Sequence, residues 1–213
     1  FVSTIRRTIG NRIDTILFFE VPNVMFSLGD LGIWDLIYEH CGYFSELSLA
    51  HLFNSCGLLE KSLTCAFGGQ FLCIDALPSP DQPAPKSNSA EGVKRVMEHV
   101  VTFSQRYSRK IERWECQLEA MRNAGERVVI WGAGSKGVTF LNTLRLQQHI
   151  QYVVDINPHK TGMYIPGTGQ KIVQPDFLRT YRPHKVITMN PIYLQEIEGL
   201  ITKMHLSADL ISA

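Results

Sequence analysis

The stretch Gly132-Ala133-Gly134-Ser135-Lys136-Gly137 has the residue types and spacing for one kind of chemistry, the holding of phosphate. The apolar run Val128-Val129-Ile130-Trp131 enters it, and Val138-Thr139-Phe140-Leu141-Asn142-Thr143-Leu144 leaves it with helical spacing. The glycines therefore fall where a buried strand turns into a helix. At such a turn Gly132 takes the tight bend, Gly134 lets a pyrophosphate approach the backbone, and Gly137 lets the helix close on the strand. The unpaired N–H groups and positive dipole end of the helix then face the anion. Ser135 and Lys136 open that helix, and Lys136 reads either as a phosphate partner or as a solvated first-turn lysine. The next run, Gln151-Tyr152-Val153-Val154, ends in Asp155, roughly 20 residues on, where a ribose-binding carboxylate belongs. The alternative is a Rossmann-like scaffold whose turn holds no ligand.

The elements that must position these residues alternate. After Asp155 come a polar loop, a short strand at 171–173, a helix from Pro175, a strand at 185–189, a helix from Pro191 and a strand near 208–212. Strands alternating with helices imply a parallel sheet with ligands at the carboxyl ends of its strands. The 132–137 turn, Asp155, Asn157 and Asn190 all fall there. Ahead of the turn, 93–123 reads as one long helix stopped by Ala124-Gly125, with Val96, Val100, Phe103, Ile111, Trp114 and Leu118 forming a packing stripe. Pro78, Pro80, Pro83 and Pro85 among polar residues mark 77–92 as a linker. The expected organisation is thus 1–76, a linker at 77–92, and 93–213.

Phe1 to Arg12 reads as the end of an amphipathic helix with Ile5 and Ile9 on one face, and Ile16-Leu17-Phe18-Phe19 follows as a short, fully apolar strand closed by Pro22. Such a strand is normally central in a parallel sheet. The strands it should pair with do not precede it, so the chain is expected to begin in the middle of a fold. Ser45 reads as a helix N-cap with Ser48 three positions on, and Leu47, Leu49, Leu52 and Phe53 supply a buried face that Gly57 ends. Two β-type runs at 62–67 and 70–75 flank Gly68-Gly69 as a hairpin. That order is how a class I methyltransferase sheet finishes, an analogy of fold alone.

Composition narrows the function classes. Of 213 residues 45% are hydrophobic, enough for one large or two small domains. Lys+Arg 21 against Asp+Glu 20 leaves no footprint for nucleic acid. Five cysteines with no Cys-x-x-Cys pair, and histidines away from metal-ligand spacing, predict reduced thiols, no metal site and a cytoplasmic setting. No apolar run approaches the ~20 residues of a membrane span.

Further residues carry a resemblance. Glu20-x-Pro22-Asn23, then Tyr38-Glu39-His40-x-x-Tyr43-Phe44-Ser45 leading into a helix, resembles the later half of the S-adenosylmethionine-dependent sugar C-methyltransferases. The 132–137 turn, Val154-Asp155-x-Asn157-Pro158-x-Lys160-x-Gly162, Pro166-Gly167-Thr168 and Asn190-Pro191 resemble their C-terminal domain. The resemblance implies an α/β fold: the end of a class I methyltransferase (Rossmann-like) sheet followed by a second Rossmann-like parallel-sheet domain. It implies C-methylation of a nucleotide-linked keto sugar held near the interface of the two domains. It also implies that S-adenosylmethionine is bound mainly by an upstream half outside this chain, and it leaves room for a homo-oligomer. Carried over residue by residue, Glu39 and His40 become the active-site pair, with His40 as base. That suits the chemistry, because a C–H proton next to a ketone needs a base titrating near neutrality, and a neighbouring carboxylate or phenol can orient it or stabilise the enolate. Without the resemblance, a loop histidine of this kind reads as structural. Tyr38 and Tyr43 read equally as substrate partners or packing. Tyr38 abuts Glu39, whereas many members carry an extra residue between.

Two other function classes remain open from sequence. One makes the 132–137 turn and Asp155 a dinucleotide site in an NAD(P)-dependent oxidoreductase, although no Tyr-x-x-x-Lys follows. The other is a non-catalytic nucleotide-binding module.

Overall fold

A computed structural model describes residues 1–80, 90–145 and 147–213, and it divides into two compact units, each treated separately below. The first comprises Phe1–Ile33 and Tyr38–Ser104, the second Trp34–Ile37 and Gln105–Ala213. No helix among the described residues is long and apolar enough to cross a membrane.

In the first unit, helix α1 (Val2–Ile9) precedes strand β1 (Leu17–Pro22), the short helix α2 (Val24–Leu28) and helix α3 (Glu46–Ser55). Strands β2 (Leu58–Ala66) and β3 (Phe71–Pro78) form the hairpin, whose turn carries Phe67, Gly68 and Gly69 at positive φ. The sheet is antiparallel, in the order β1-β3-β2. Among the described residues β1 is thus paired on one edge, by an antiparallel neighbour, and the expected parallel partners are not among them. Side chains alternate across a strand, and only one face of this sheet is packed, so Leu17 is buried while Ile16 and Phe18 stand 73% and 61% exposed. Leu49 and Phe53 of α3 supply the covering face, packing with Leu17, Leu58, Leu72 and Ile74. Ser45 caps α3 in a reciprocal box with Ser48: the Ser48 N–H donates to Ser45 Oγ at 3.2 Å, and the Ser45 N–H donates to Ser48 Oγ at 2.9 Å.

Strand β3 runs through Pro78 and helix α4 begins at Ala90, both inside the expected linker; residues 81–89 of that linker lie outside the described residues. Helix α4 (Ala90–Asn123) is continuous and ends as expected, with Gly125 at φ 68°. Its stripe is buried only in part: Trp114, Leu118 and Met121 are in the core of the second unit, whereas Val100 is 54% exposed.

The second unit is a five-stranded, wholly parallel sheet in the order β6-β5-β4-β7-β8. Its strands are β4 (Val128–Trp131), β5 (Tyr152–Val154), β6 (Lys171–Val173), β7 (Lys185–Thr188) and β8 (Asp209–Ser212). Helices α5 (Ser135–Thr143), α6 (Leu178–Tyr181) and α7 (Leu194–Lys203) connect them with short 3-10 turns. All four β4 residues are buried, as a central strand requires. Val129 and Trp131 pack with Leu178, Ile197 and Ile201, and Phe140 and Leu141 of α5 are likewise fully buried. Successive connections from β4 lead first to β5 and β6 on one side and then to β7 and β8 on the other. The strand order therefore reverses between β4 and β7, and the crevice at the carboxyl ends of these two strands is the switch point where open α/β sheets bind ligands.

The glycines divide as the local geometry dictates. A Cβ at Gly137 would run into the Gly132 carbonyl oxygen, while one at Gly134 would meet nothing within 4 Å. Gly137→Ala should lower stability by about 1–3 kcal/mol through overpacking, and Gly134→Ala by much less; urea denaturation of the two variants checks both.

Candidate functional site

Three chain segments leave the carboxyl ends of adjacent parallel strands and bring the expected binding residues of the second unit to one edge. The 132–137 turn follows β4, Asp155 and Asn157 follow β5, and Asn190 follows β7. Gly132 lies at φ 113°, a conformation that favours glycine, and its N–H donates to the Val154 carbonyl at 2.8 Å. Gly134 occupies the N-cap of α5, with Ser135 and Lys136 in the first turn. Asn157 and Asn190 each cap a short turn, accepting from the N–H of His159 at 3.0 Å and of Ile192 at 3.2 Å.

Asp155 is engaged with the protein itself. Its Oδ2 accepts from the Ala133 N–H at 2.9 Å and from Lys160 Nζ at 3.1 Å, and its Oδ1 accepts from the Asn157 N–H at 2.8 Å. Lys160 Nζ also donates to the Ala133 carbonyl at 3.0 Å. A carboxylate has about four acceptor positions, and three are taken in a side chain only 10% exposed. Little of Asp155 is left for a ribose hydroxyl; the geometry makes it a brace between the glycine-rich turn and the Asp-x-Asn-Pro loop. Burial alone pushes its pKa up, but the bonds from Asn157, Lys160 and Ala133, with the Lys160 charge, prevail and hold it below the ordinary value of 3.8.

Lys136 is paired too, its Nζ standing 3.3 Å from Asp35 Oδ1. Both lysines beside the turn thus face carboxylates, so an incoming anion meets backbone dipoles more than net positive charge. The Pro166-Gly167-Thr168 stretch reaches α5 through Asn142, whose Nδ2 donates to the Pro166 carbonyl at 3.0 Å. Gly167 lies at φ 83°, a conformation that favours glycine, and a Cβ there would also displace the Asn142 side chain.

In the first unit the four residues of the Tyr-Glu-His and Tyr stretch separate. Tyr38 is fully exposed and Glu39 exposed, while His40 and Tyr43 are half-buried. The His40 ring meets Tyr43 edge-on at 5.5 Å and Phe71 at 6.1 Å, and its Nδ1 is buried with no hydrogen-bond partner among the described residues. A buried unpaired imidazole nitrogen costs about 1–3 kcal/mol, and such groups recur where chemistry uses them. No cluster of metal-ligating side chains occurs among the described residues.

Sequence reasoning missed a cavity of about 470 Å3 in the first unit, lined by Asn23, Asp30, Ser45, Glu46, Arg95 and His99 among others. Asn23 and Ser45 come from the stretches that carry the resemblance. Arg95 and His99 lie on α4, more than 45 residues later in sequence, and no local pattern marks them.

Residues 85–206 match the family described as C-methyltransferase C-terminal domain. The chain is 28% identical over 194 residues to the C-methyltransferase NovU of Streptomyces niveus, covering 86% of this chain and 46% of the relative, so it spans about half of that protein's length. A crystal structure of RSP in complex with β-NAD+ and operator DNA overlaps 41% of this chain and 50% of its own, with a TM-score of 0.33 and 15% identity, too slight a likeness to support any conclusion.

The Asp155 brace has a pH signature. Because its folded pKa is depressed, the stability it contributes is present above its unfolded value, near 3.8, and is lost as pH falls through the lower folded value. Asp155→Asn should therefore lose about 1.5–3 kcal/mol at neutral pH, the range for hydrogen bonds to a charged group, and the gap to the wild-type protein should close below about pH 4. Denaturant titrations at several pH values measure it.

Proposed function

The chain belongs to the C-methyltransferase C-terminal domain family, and from that membership we propose that it is part of a methyltransferase that methylates carbon next to the carbonyl of a nucleotide-linked keto sugar. The observation that carries this reading is the family match over 85–206, which spans the glycine-rich turn, the Asp155 brace and Asn190 together.

Within the second unit, the 132–137 turn takes the nucleotide's phosphates. The space above Gly134 is open, the first turn of α5 directs its amides there, and Asn157 and Asn190 flank it from β5 and β7. Asp155 and Lys160 hold the turn in shape and do not contact the ligand. That assignment disfavours a dinucleotide, whose ribose needs the acid after the second strand.

Within the first unit, His40 removes the proton from the carbon next to the carbonyl. Tyr43, edge-on to it, limits the ring's orientations, and Glu39 supplies negative charge beside the imidazolium that forms. Tyr38, fully exposed, contributes no contact to His40 in this arrangement. S-adenosylmethionine is the methyl donor that this family implies. The described residues do not fit it: their glycine-rich strand-to-helix turn has its acid engaged by Ala133, Asn157 and Lys160, and the sheet of the first unit presents no comparable turn. The chain's own share is therefore substrate binding and proton removal, in a cytoplasmic enzyme.

Calorimetric titration with a thymidine-diphosphate keto sugar, in parallel with NAD, tests the binding half. Sugar-nucleotide binding should disappear in Gly134→Val, whose side chain fills the open space; NAD binding alone would sink the proposal. Solvent deuterium uptake at the carbon next to the carbonyl, followed by NMR, tests the base, and His40→Gln should slow it by about 10²–10⁴-fold.

A further inference from the structure

Residues Trp34–Ile37 belong to the second unit although the residues on either side of them belong to the first. Two groups of interactions hold them. Trp34 is 3% exposed and sits edge-on to Phe140 at 4.8 Å, and Phe140 in turn meets Trp114 at 5.1 Å. The Lys110 ammonium lies 5.6 Å from the centroid of the Trp34 ring, within cation–π range. Asp35, 4% exposed, directs Oδ1 to Lys136 Nζ at 3.3 Å. A carboxylate so deeply buried needs compensation, and removing the Lys136 cation withdraws the charge that faces it at 3.3 Å. Opposing these contacts, Trp34 Nε1 is buried without a partner among the described residues, a penalty that the docked segment carries. The segment is thus held against a built-in cost by aromatic packing, by the Lys110 ammonium and by the Asp35–Lys136 ion pair.

We propose that Lys136 is a positioning residue: its ion pair with Asp35 seats Trp34–Ile37, the four residues directly ahead of Tyr38-Glu39-His40, in the second unit. This deepens the function proposed above, since it takes the lysine of the glycine-rich turn away from phosphate and gives it to the segment that leads into the active-site pair. A cation in the first turn of α5 is poorly matched to the positive end of its own helix, and the buried Asp35 carboxylate offsets that mismatch. Arginine keeps the charge and reaches the same carboxylate; methionine keeps the length and loses the charge.

Hydrogen exchange read by mass spectrometry on the wild-type chain, Lys136→Met, Lys136→Arg and Asp35→Asn tests this. In Lys136→Met the amides of 33–37 should exchange about tenfold faster or more, as for local release of a docked segment, while 128–131 and 152–154 keep their protection. Lys136→Arg should restore the wild-type pattern. Unchanged exchange at 33–37 in Lys136→Met overturns the proposal. If β4 and β5 also lose protection in that variant, Asp35→Asn decides, because it leaves α5 unaltered: release of 33–37 alone supports the proposal, and no release overturns it. Titration with thymidine diphosphate supplies the second arm. Loss of binding in Lys136→Met with exchange at 33–37 unchanged would make the lysine a phosphate ligand and overturn the proposal. The exchange arm uses no ligand, so failure of every variant to bind the diphosphate would sink the sugar-nucleotide reading and leave this one standing.

Discussion

The buried carboxylate of Asp155 is the interaction on which the carboxyl-end edge of the second unit's sheet depends. It ties together two loops that leave neighbouring strands, accepting from one backbone amide in each and from a lysine that returns to the first loop. Without it, Ala133 would present an unpaired buried amide, and the glycine-rich turn, whose Gly132 already occupies an uncommon backbone region, would have little to fix its shape. The charge is affordable there because every bond it makes favours the ionised form over the neutral one. The same engagement separates this turn from a dinucleotide site of similar sequence: the acid is in the expected place but faces inward.

Charge around the turn is arranged with the same economy. Lys160 and Lys136 each meet a carboxylate, Asp155 and Asp35 respectively, so the charges beside the turn are largely balanced and its oriented amides are the dominant local dipoles. The half-buried His40, one ring nitrogen of which has no hydrogen-bond partner among the described residues, is the contrasting case in the first unit.

Much of this was legible in the residues. The strand, glycine turn, helix and second strand at 128–154 follow from a buried apolar run meeting helical periodicity, and they fold as that pattern requires. Ser45 and Ser48 announced the capping box, and Gly68-Gly69 the hairpin, because both depend on neighbours within a few positions. Ile16-Leu17-Phe18-Phe19 left its pairing open because four consecutive apolar residues look alike whether both faces of a strand are covered or one; the neighbour it has among the described residues, β3, lies 49 to 59 positions on (71 − 22 and 76 − 17). The partners of Asp155 and Lys136 were invisible for the same reason: a carboxylate at the end of a strand has identical sequence context whether it faces a ribose or the amide of Ala133. The Val100 end of the long helix fooled the periodicity argument, since an amphipathic stripe states which face is apolar and says nothing of whether anything covers it.

The strand order of the second unit also biases the order in which its strands pair. β4 meets β5 within about two dozen residues, but its other edge waits for β7, where Val128 pairs with Lys185, 57 positions on (185 − 128). Loop closure favours the shorter pairing first, so the glycine-rich turn and its Asp155 brace can form while one side of β4 still lacks a neighbour. During that interval the wholly apolar Val128–Trp131 edge is a template for the wrong strand. The central position that places the glycine-rich turn at the middle of the sheet thereby leaves β4 dependent on a neighbour that is made late.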